Sequence, residues 1–262
     1  MTLNIYQIDS FSQGLFKGNP AAVIILDSWL DDSLMQNIAI ENNLSETAFL
    51  IPLGSAHYSI RWFSPICEVD FCGHATLAAA HLLFSQQPTL HKLQFSTSQV
   101  GDLLARRAEG GLIEMDFPIH EPSLQPIPSA LLDGLSIKPL EILRNQQAYF
   151  AVYDQQADVE AVEIDEALIK TLAPYDVVVT AKGKQYDFVS RYFWPANGGY
   201  EDPVTGSAYA GLTPFWAKRL NKTTLLAYQA SARGGVLHCT LNKQSVTVAG
   251  HATTYMQGTL FV

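Results

Sequence analysis

The sequence is poor in charged residues, which make up 16% of its 262 positions, and basic residues are especially few. It holds 16 Lys and Arg against 25 Asp and Glu, for a formal net charge of −9. Nucleic acids and anionic membranes attract clustered Lys and Arg, so no nucleic acid and no membrane is expected as a partner. Hydrophobic residues reach 48%, enough for a full core in one large domain or two small ones.

Cysteine is scarce too. Cys67, Cys72 and Cys239 are too few and too unevenly spaced for a disulfide framework. No apolar run approaches the roughly 20 residues of a membrane span, and the first residues lack the basic and apolar stretches of a signal peptide. A soluble, cytoplasmic protein is therefore expected. The sequence also lacks Gly-x-Gly-x-x-Gly, Walker-type and Gly-x-Ser-x-Gly motifs, so nothing favours nucleotide binding or esterase chemistry.

One motif occurs twice. Each copy has an Arg, an aromatic residue, Phe, any residue and Pro, then an acidic loop, a Gly, a polar residue and Ala. The copies are residues 61–65 with Asp70 and 72–76, and residues 191–195 with Asp202 and 205–208. Each precedes an Ala- or Leu-rich run typical of a helix. The repeat predicts two related halves and one site built from two helix N-termini that face each other.

Strand-like segments in hairpin series dominate, with a few helices in each half, which indicates an α+β fold. The same order of strands and helices recurs in both halves. Four prolines fall between residues 118 and 128, where they disfavour helices and interior strands. We therefore predict a first lobe at 1–117, a linker at 118–128 and a second lobe at 129–262.

The predicted helix starts are candidate anion sites. Gly73 and Gly206 let a ligand approach the free N–H groups of the first turn, and His74 and Ser207 add side-chain donors. The alternative is ordinary capping, in which Ser207 or Asp202 satisfies its own helix. The duplication favours the anion site.

Two acidic residues and a cysteine lie close to the predicted helix starts. Asp202 is the better candidate for substrate contact, whereas Asp70 is expected to be structural. Cys72 at a helix start is a candidate reactive thiol, although most free cysteines are buried apolar residues. Thr205 holds the matching position in the other copy, so a two-thiol mechanism has no support. No spacing of His, Cys or carboxylates indicates a metal, and none is expected.

Glu46 lies in an apolar segment, where a carboxylate is costly unless it is used or paired. Partial burial would suit it to general acid/base chemistry. An exposed Glu on an edge strand is the alternative.

These motifs together resemble the PhzF-like family of phenazine-biosynthesis isomerases, over essentially the whole chain. The matching segments are residues 18–21, 43–49, 70–76, 192–195, 201–208 and 256–260. The resemblance implies the diaminopimelate-epimerase-like fold, with two pseudo-symmetric lobes, each a curved, barrel-like, mostly antiparallel sheet around a central helix. It also implies that a C-terminal strand at 255–262 can join the first lobe.

For function, the resemblance implies a cofactor-free isomerase, often homodimeric, that shifts a proton on a small carboxylate substrate in a cleft between the lobes. Glu46 would be the general acid/base. Substrate would be held by Gly73, His74, Gly206 and Ser207 through its carboxylate, and by Asp202 through an amino or hydroxyl group. Related epimerases have a Cys before both helix-start glycines, and Thr205 departs from that pattern.

Tyr209 stands where family members often carry His, so it is a further candidate for shaping the substrate pocket. Family membership alone does not specify a substrate. Alternatives with the same cleft are a one-base epimerase, lyase or dehydratase, a thiol enzyme acting through Cys72, and a non-catalytic protein that binds small carboxylates.

Overall fold

The computed structural model describes residues 1–262, and the chain divides into two compact units. Unit 1 comprises Met1–Asp116 and Ala249–Val262, and unit 2 comprises Phe117–Val248. No helix is both long enough and apolar enough to cross a membrane.

Strands outnumber helices in both units, as expected for an α+β protein. The elements up to residue 118 are β1 Thr2–Ser10, β2 Asn19–Ile25, α1 Asp32–Asn42, β3 Glu46–Gly54, β4 His57–Phe63, β5 Glu68–Val69, α2 Gly73–Gln86, β6 Lys92–Ser96, β7 Asp102–Arg107 and β8 Ile113–Pro118. Those that follow are α3 Ser129–Asp133, β9 Glu141–Arg144, β10 Ala148–Val152, α4 Gln156–Ala161, α5 Glu166–Lys170, β11 Asp176–Lys182, β12 Phe188–Phe193, β13 Glu201–Asp202, α6 Tyr209–Leu220, β14 Thr224–Gln229, β15 Gly235–Leu241, β16 Ser245–Gly250 and β17 Ala252–Phe261. Short 3₁₀ turns lie at Glu109–Gly111, Pro195–Asn197 and Gly206–Ala208.

In unit 1, β1 pairs antiparallel with β2 and with the C-terminal strand β17. The sheet continues through a parallel β2–β3 pair, an antiparallel β3–β4 pair, a parallel β4–β6 pair, and antiparallel β6–β7 and β7–β8 pairs. Helix α2 contacts β1, β2 and β3, and its Ala-rich sequence allows the strands to come close on several sides. Most of its residues are consequently buried, so α2 is the core helix of this unit.

Unit 2 repeats this pairing scheme. Its pairs are antiparallel β9–β10, parallel β10–β11, antiparallel β11–β12, parallel β12–β14 and antiparallel β14–β15. Helix α6 takes the place of α2, and the first nine of its twelve residues are buried. The α+β class and the duplicated strand order expected from the sequence are thus confirmed within each unit.

The repeated arginine has a defined role in each unit. Arg61 lies over the ring of Phe63 at 5.2 Å and forms an ion pair with Glu68 at 2.6 Å. Arg191 lies over its own Phe at 4.7 Å and pairs with Glu201 at 2.8 Å. Residues two apart in a strand share a face, so the Arg of the motif stacks on the Phe of the same strand. The Glu of the next short strand then forms an ion pair with that Arg.

The same register corrects one expected equivalence. Tyr192 pairs with Asp202, whereas the matching Trp62 pairs with Val69. The counterpart of Asp202 is therefore Val69, and Asp70 lies one position later and is exposed.

Two predicted segments differ in detail from the structure. The helix expected from Gly206 opens as a 3₁₀ turn and becomes α-helical at Tyr209. Within the proline-rich residues 118–128, the N–H of His120 donates to the carbonyl of Ala210 at 3.0 Å, and Ser123 forms an antiparallel bridge with Arg144. Each proline lacks only its own backbone N–H, so the residues between the prolines still form hydrogen bonds to the rest of unit 2.

Candidate active site

Both helix starts lack a side-chain cap. Cys72 precedes α2 in an extended conformation and makes no capping hydrogen bond, and Thr205 before Gly206 makes none either. The Ser207 side chain accepts a hydrogen bond from Gln147, and the Asp202 side chain accepts one from the Thr205 hydroxyl. First-turn N–H groups that no side chain satisfies are suited to bind an anion.

In unit 1, three chemically active side chains meet at the start of α2. His74 Nε2 lies 3.0 Å from Glu46 Oε2, and His74 Nδ1 lies 3.5 Å from Cys72 Sγ. Glu46 is placed there by the parallel pairing of β3 with β2, and His74 by the first turn of α2. The side chains of Glu46 and His74 are only 13% and 6% exposed. Glu46 Oε2 is buried and contacts His74 as an ion pair without an aligned hydrogen bond, so the exposed part of this carboxylate lies elsewhere on the side chain.

The electrostatics of this cluster favour a neutral thiol. Burial, reinforced by the charge of Glu46, raises the pKa of Cys72 to about 11. Burial alone would lower the pKa of His74, but the charges that Cys72 and Glu46 can carry raise it well above its ordinary value. A thiol with so high a pKa is a poor base at neutral pH. Cys72 is therefore a poor candidate for the catalytic base.

Asn19 and Ser45 form a hydrogen-bonded pair beside Nδ1 of the His74 imidazole. Asn19 Nδ2 lies 3.2 Å from His74 Nδ1, and the Ser45 hydroxyl donates to Asn19 Oδ1 at 2.9 Å. The Ser10 hydroxyl donates to the carbonyl of His74 at 2.7 Å. Asn19 belongs to the matching segment 18–21, to which no role was assigned, and the structure makes it the neighbour of His74.

In unit 2, a hydrogen-bond chain leads to Ser207. Gln147 Nε2 donates to Ser207 Oγ at 2.9 Å and to the Tyr192 oxygen at 2.9 Å. The Tyr192 hydroxyl donates to Asp176 Oδ2 at 2.6 Å, and Asn197 donates to Oδ1 at 2.8 Å. Because Ser207 accepts from Gln147, its own hydroxyl hydrogen is left to donate.

Asp176 is buried, and burial raises its pKa to about 6, against the lowering effect of its hydrogen bonds from Tyr192 and Asn197. The nearby charge of Asp202 adds to the rise. Sequence analysis missed this acid.

Asp176 is the counterpart of Glu46. Glu46 opens β3 and Asp176 opens β11, and the next residue of each strand pairs with the Phe of the repeated motif. Each carboxylate also stands fifteen residues before the Arg of its copy. That spacing is a signal in the sequence, and it shows that Glu46 has a counterpart in the second half of the chain.

The other predicted residues are placed as follows. Asp202 is half-buried; its side chain accepts from the Thr205 hydroxyl, and its carbonyl accepts from Gln229 at 2.8 Å. Gly73 and Gly206 are buried at their helix starts. Tyr209 is fully buried against Phe188, with its hydroxyl 3.0 Å from that of a serine in β12.

The family profile of the phenazine biosynthesis-like proteins, PhzC-PhzF, matches residues 8–258. The chain belongs to this family. An uncharacterized isomerase of Pseudomonas aeruginosa is 45% identical over 260 residues, 99% of each chain. A crystal structure of a phenazine biosynthesis protein of the PhzF family from Enterococcus faecalis is 42% identical, with a TM-score of 0.95 and full coverage of both chains.

A predicted epimerase of Pseudomonas aeruginosa has a TM-score of 0.82 at 21% identity over 99% of each chain, a likeness of fold alone. With the PhzF-family match, it confirms the diaminopimelate-epimerase-like class of fold. The names of the close relatives agree with the expectation of an enzyme, so this member of the phenazine biosynthesis-like family is an isomerase.

Proposed function

We propose that the protein is a cofactor-independent isomerase that moves a proton alpha or vinylogous to the carboxylate of a small amino- or hydroxy-carboxylate. Glu46 is the general acid/base in this proposal. The proposal rests on the Glu46–His74 pair at the uncapped start of α2. His74 Nε2 and Glu46 Oε2 are 3.0 Å apart, and both side chains are largely buried. The Glu46 side chain is 13% exposed, so its carboxylate could still meet a substrate proton.

The chemistry needs a base and a way to stabilise the developing enolate. Glu46 would remove the substrate proton and return it at a second atom. Between the two steps Glu46 carries that proton as a neutral acid, and His74, 3.0 Å away, holds the side chain in place. The free N–H groups of the first helical turn would stabilise the enolate charge, an effect worth about 3 kcal/mol per well-placed donor.

Unit 2 would bind the rest of the substrate. Ser207 is oriented to donate a hydrogen bond, which fits a carboxylate or enolate oxygen. Asp202 would accept from an amino or hydroxyl group, as the resemblance implied. We propose that one substrate contacts both sets of residues, in a cleft between the lobes. We therefore expect Ser207→Ala to raise KM more than it lowers kcat.

The test is proton exchange. The protein is incubated in deuterium oxide with a panel of small amino- and hydroxy-carboxylates, and NMR follows deuterium uptake and double-bond position. The Glu46→Gln variant should keep its melting temperature and lose exchange, while the exposed Glu41→Gln on α1 should retain it. Full exchange by Glu46→Gln on a substrate that the wild type turns over would refute the role of Glu46.

The same assay separates the alternatives. Deuterium uptake at the alpha carbon with no shifted double bond indicates a one-base epimerase, and loss of water or another group indicates a lyase or dehydratase. A panel member that raises the melting temperature but never exchanges indicates a binding protein.

A further inference from the structure

The cluster at the start of α2 has a second chemical property besides acid/base chemistry. Cys72, His74 and Glu46 each offer one metal-ligating atom, and these three atoms lie within 4.8 Å of one another. Glu46 begins β3, His74 lies in the first turn of α2 and Cys72 directly precedes that helix, so the backbones of all three are close together. A thiolate sulfur, an imidazole nitrogen and a carboxylate oxygen together suit zinc, whereas magnesium and calcium prefer oxygen ligands alone.

The distances fit a tetrahedral ion. Zinc bonds of about 2.0–2.3 Å at tetrahedral angles separate ligand atoms by about 3.3–3.6 Å. Here Nε2 of His74 lies 3.0 Å from Glu46 Oε2 and 4.0 Å from Cys72 Sγ. Cys72 Sγ lies nearer Nδ1, at 3.5 Å, so its side chain must rotate toward Nε2 before one ion can contact all three ligand atoms. Three protein ligands leave the fourth position open to water or to a substrate oxygen.

We propose that Cys72, His74 and Glu46 bind a zinc ion, which reversibly inhibits the enzyme by occupying its acid/base pair. Zinc–sulfur, zinc–nitrogen and zinc–oxygen bonds form, and the thiol proton, with any proton on the coordinating imidazole nitrogen, passes to solvent. Zinc binding stands on the cluster itself, whereas inhibition also rests on the proposed function.

Asn19 completes the arrangement. A metal-bound histidine usually donates its other ring N–H to a carbonyl or carboxylate. The Asn19 amide lies 3.2 Å from His74 Nδ1 and presents its carbonyl when it turns about its last bond. The Ser45 hydroxyl, now a donor to Asn19 Oδ1, can then accept from the amide instead.

The experiment uses the full chain after treatment with a chelator. Zinc chloride is titrated by calorimetry, and Co²⁺ is added in parallel because a cobalt–thiolate bond gives a charge-transfer absorption band. We expect one zinc per chain and a thiolate band. In Cys72→Ser the band should vanish and zinc affinity fall at least about tenfold. Cys67→Ser, at an exposed cysteine, is the matched control and should keep both.

Glu46→Gln provides an independent check, since it should weaken zinc binding while the cobalt–thiolate band persists. Absence of zinc binding at millimolar concentration, or an unchanged band in Cys72→Ser, would overturn the proposal. In the exchange assay, zinc should abolish activity and the chelator restore it, and zinc-bound enzyme with full activity would overturn the inhibitory role. Failure of the proposed function appears separately, as no exchange in the metal-free protein.

Discussion

Replacing Asp176 by Asn should remove a pH dependence of stability that the structure assigns to one buried acid. Burial raises the pKa of Asp176 from 3.8 to about 6. Between those values the unfolded chain has lost this proton while the folded protein keeps it. The unfolded state therefore binds fewer protons, and the free energy of unfolding falls as pH rises through this window.

The size of the effect follows from the shift. One pKa unit corresponds to about 1.4 kcal/mol, so this shift is worth up to about 3 kcal/mol between pH 4 and pH 7. Because Asn cannot ionise, the free energy of unfolding of Asp176→Asn should lack this part of its decline with rising pH. Its cost at pH 4 comes only from rearranging the hydrogen bonds that Tyr192 and Asn197 donate.

The assay is urea unfolding at pH 4, 5, 6 and 7 for the wild type, Asp176→Asn and Asp133→Asn. Asp133 is an exposed aspartate of the same unit, so its variant shows the effect of deleting one surface charge. The stability difference between wild type and Asp176→Asn should move by up to about 3 kcal/mol in favour of the variant as pH rises. Parallel pH curves for these two proteins would refute the assignment of a raised pKa to this carboxyl.

Three further outcomes are expected. Asn19→Leu removes the amide beside His74 and should slow deuterium exchange about tenfold with little change in KM, since a lost positioning contact acts on the chemical step; an unchanged rate would contradict this role. Gly211→Ala places a Cβ 2.7 Å from Phe150 Cζ and should lower stability by about 1–3 kcal/mol in urea unfolding, so equal stability would count against the close packing. Arg191→Met leaves a half-buried carboxylate unpaired and should lower the melting temperature more at 20 mM than at 500 mM salt; equal losses would argue that packing, not charge, matters there.

Much of the fold could be predicted because its signals are local and repeated. Apolar alternation marks strands, Ala-rich runs mark the core helices, and the duplicated Arg-aromatic-Phe-x-Pro motif marks equivalent strands in both halves. The motif also led to an error at Asp70, because sequence spacing alone could not show which loop residue pairs across to the preceding strand. Only the register shows that Val69 is the counterpart of Asp202.

The candidate site was predictable in part, for a physical reason. Glu46, His74 and Cys72 belong to motifs with recognisable chemistry, and the structure brings them together. Gln147 and Asp176 act through hydrogen bonds between residues far apart in the chain, and no local pattern reports such bonds. The fifteen-residue spacing before each motif Arg was the one available signal for Asp176.

Glu46 and Asp176 occupy equivalent positions in the two units, but their surroundings differ. Glu46 faces an imidazole, a partner that can carry a positive charge. Asp176 faces a phenol and an amide, both neutral donors, in a setting where burial favours the protonated acid. Equivalent backbone positions thus hold the acid that we propose for proton transfer and an acid that fixes the hydrogen-bond chain to Ser207. Matched bases that invert a single centre need matched surroundings, and these two differ, which favours transfer of a proton between different substrate atoms.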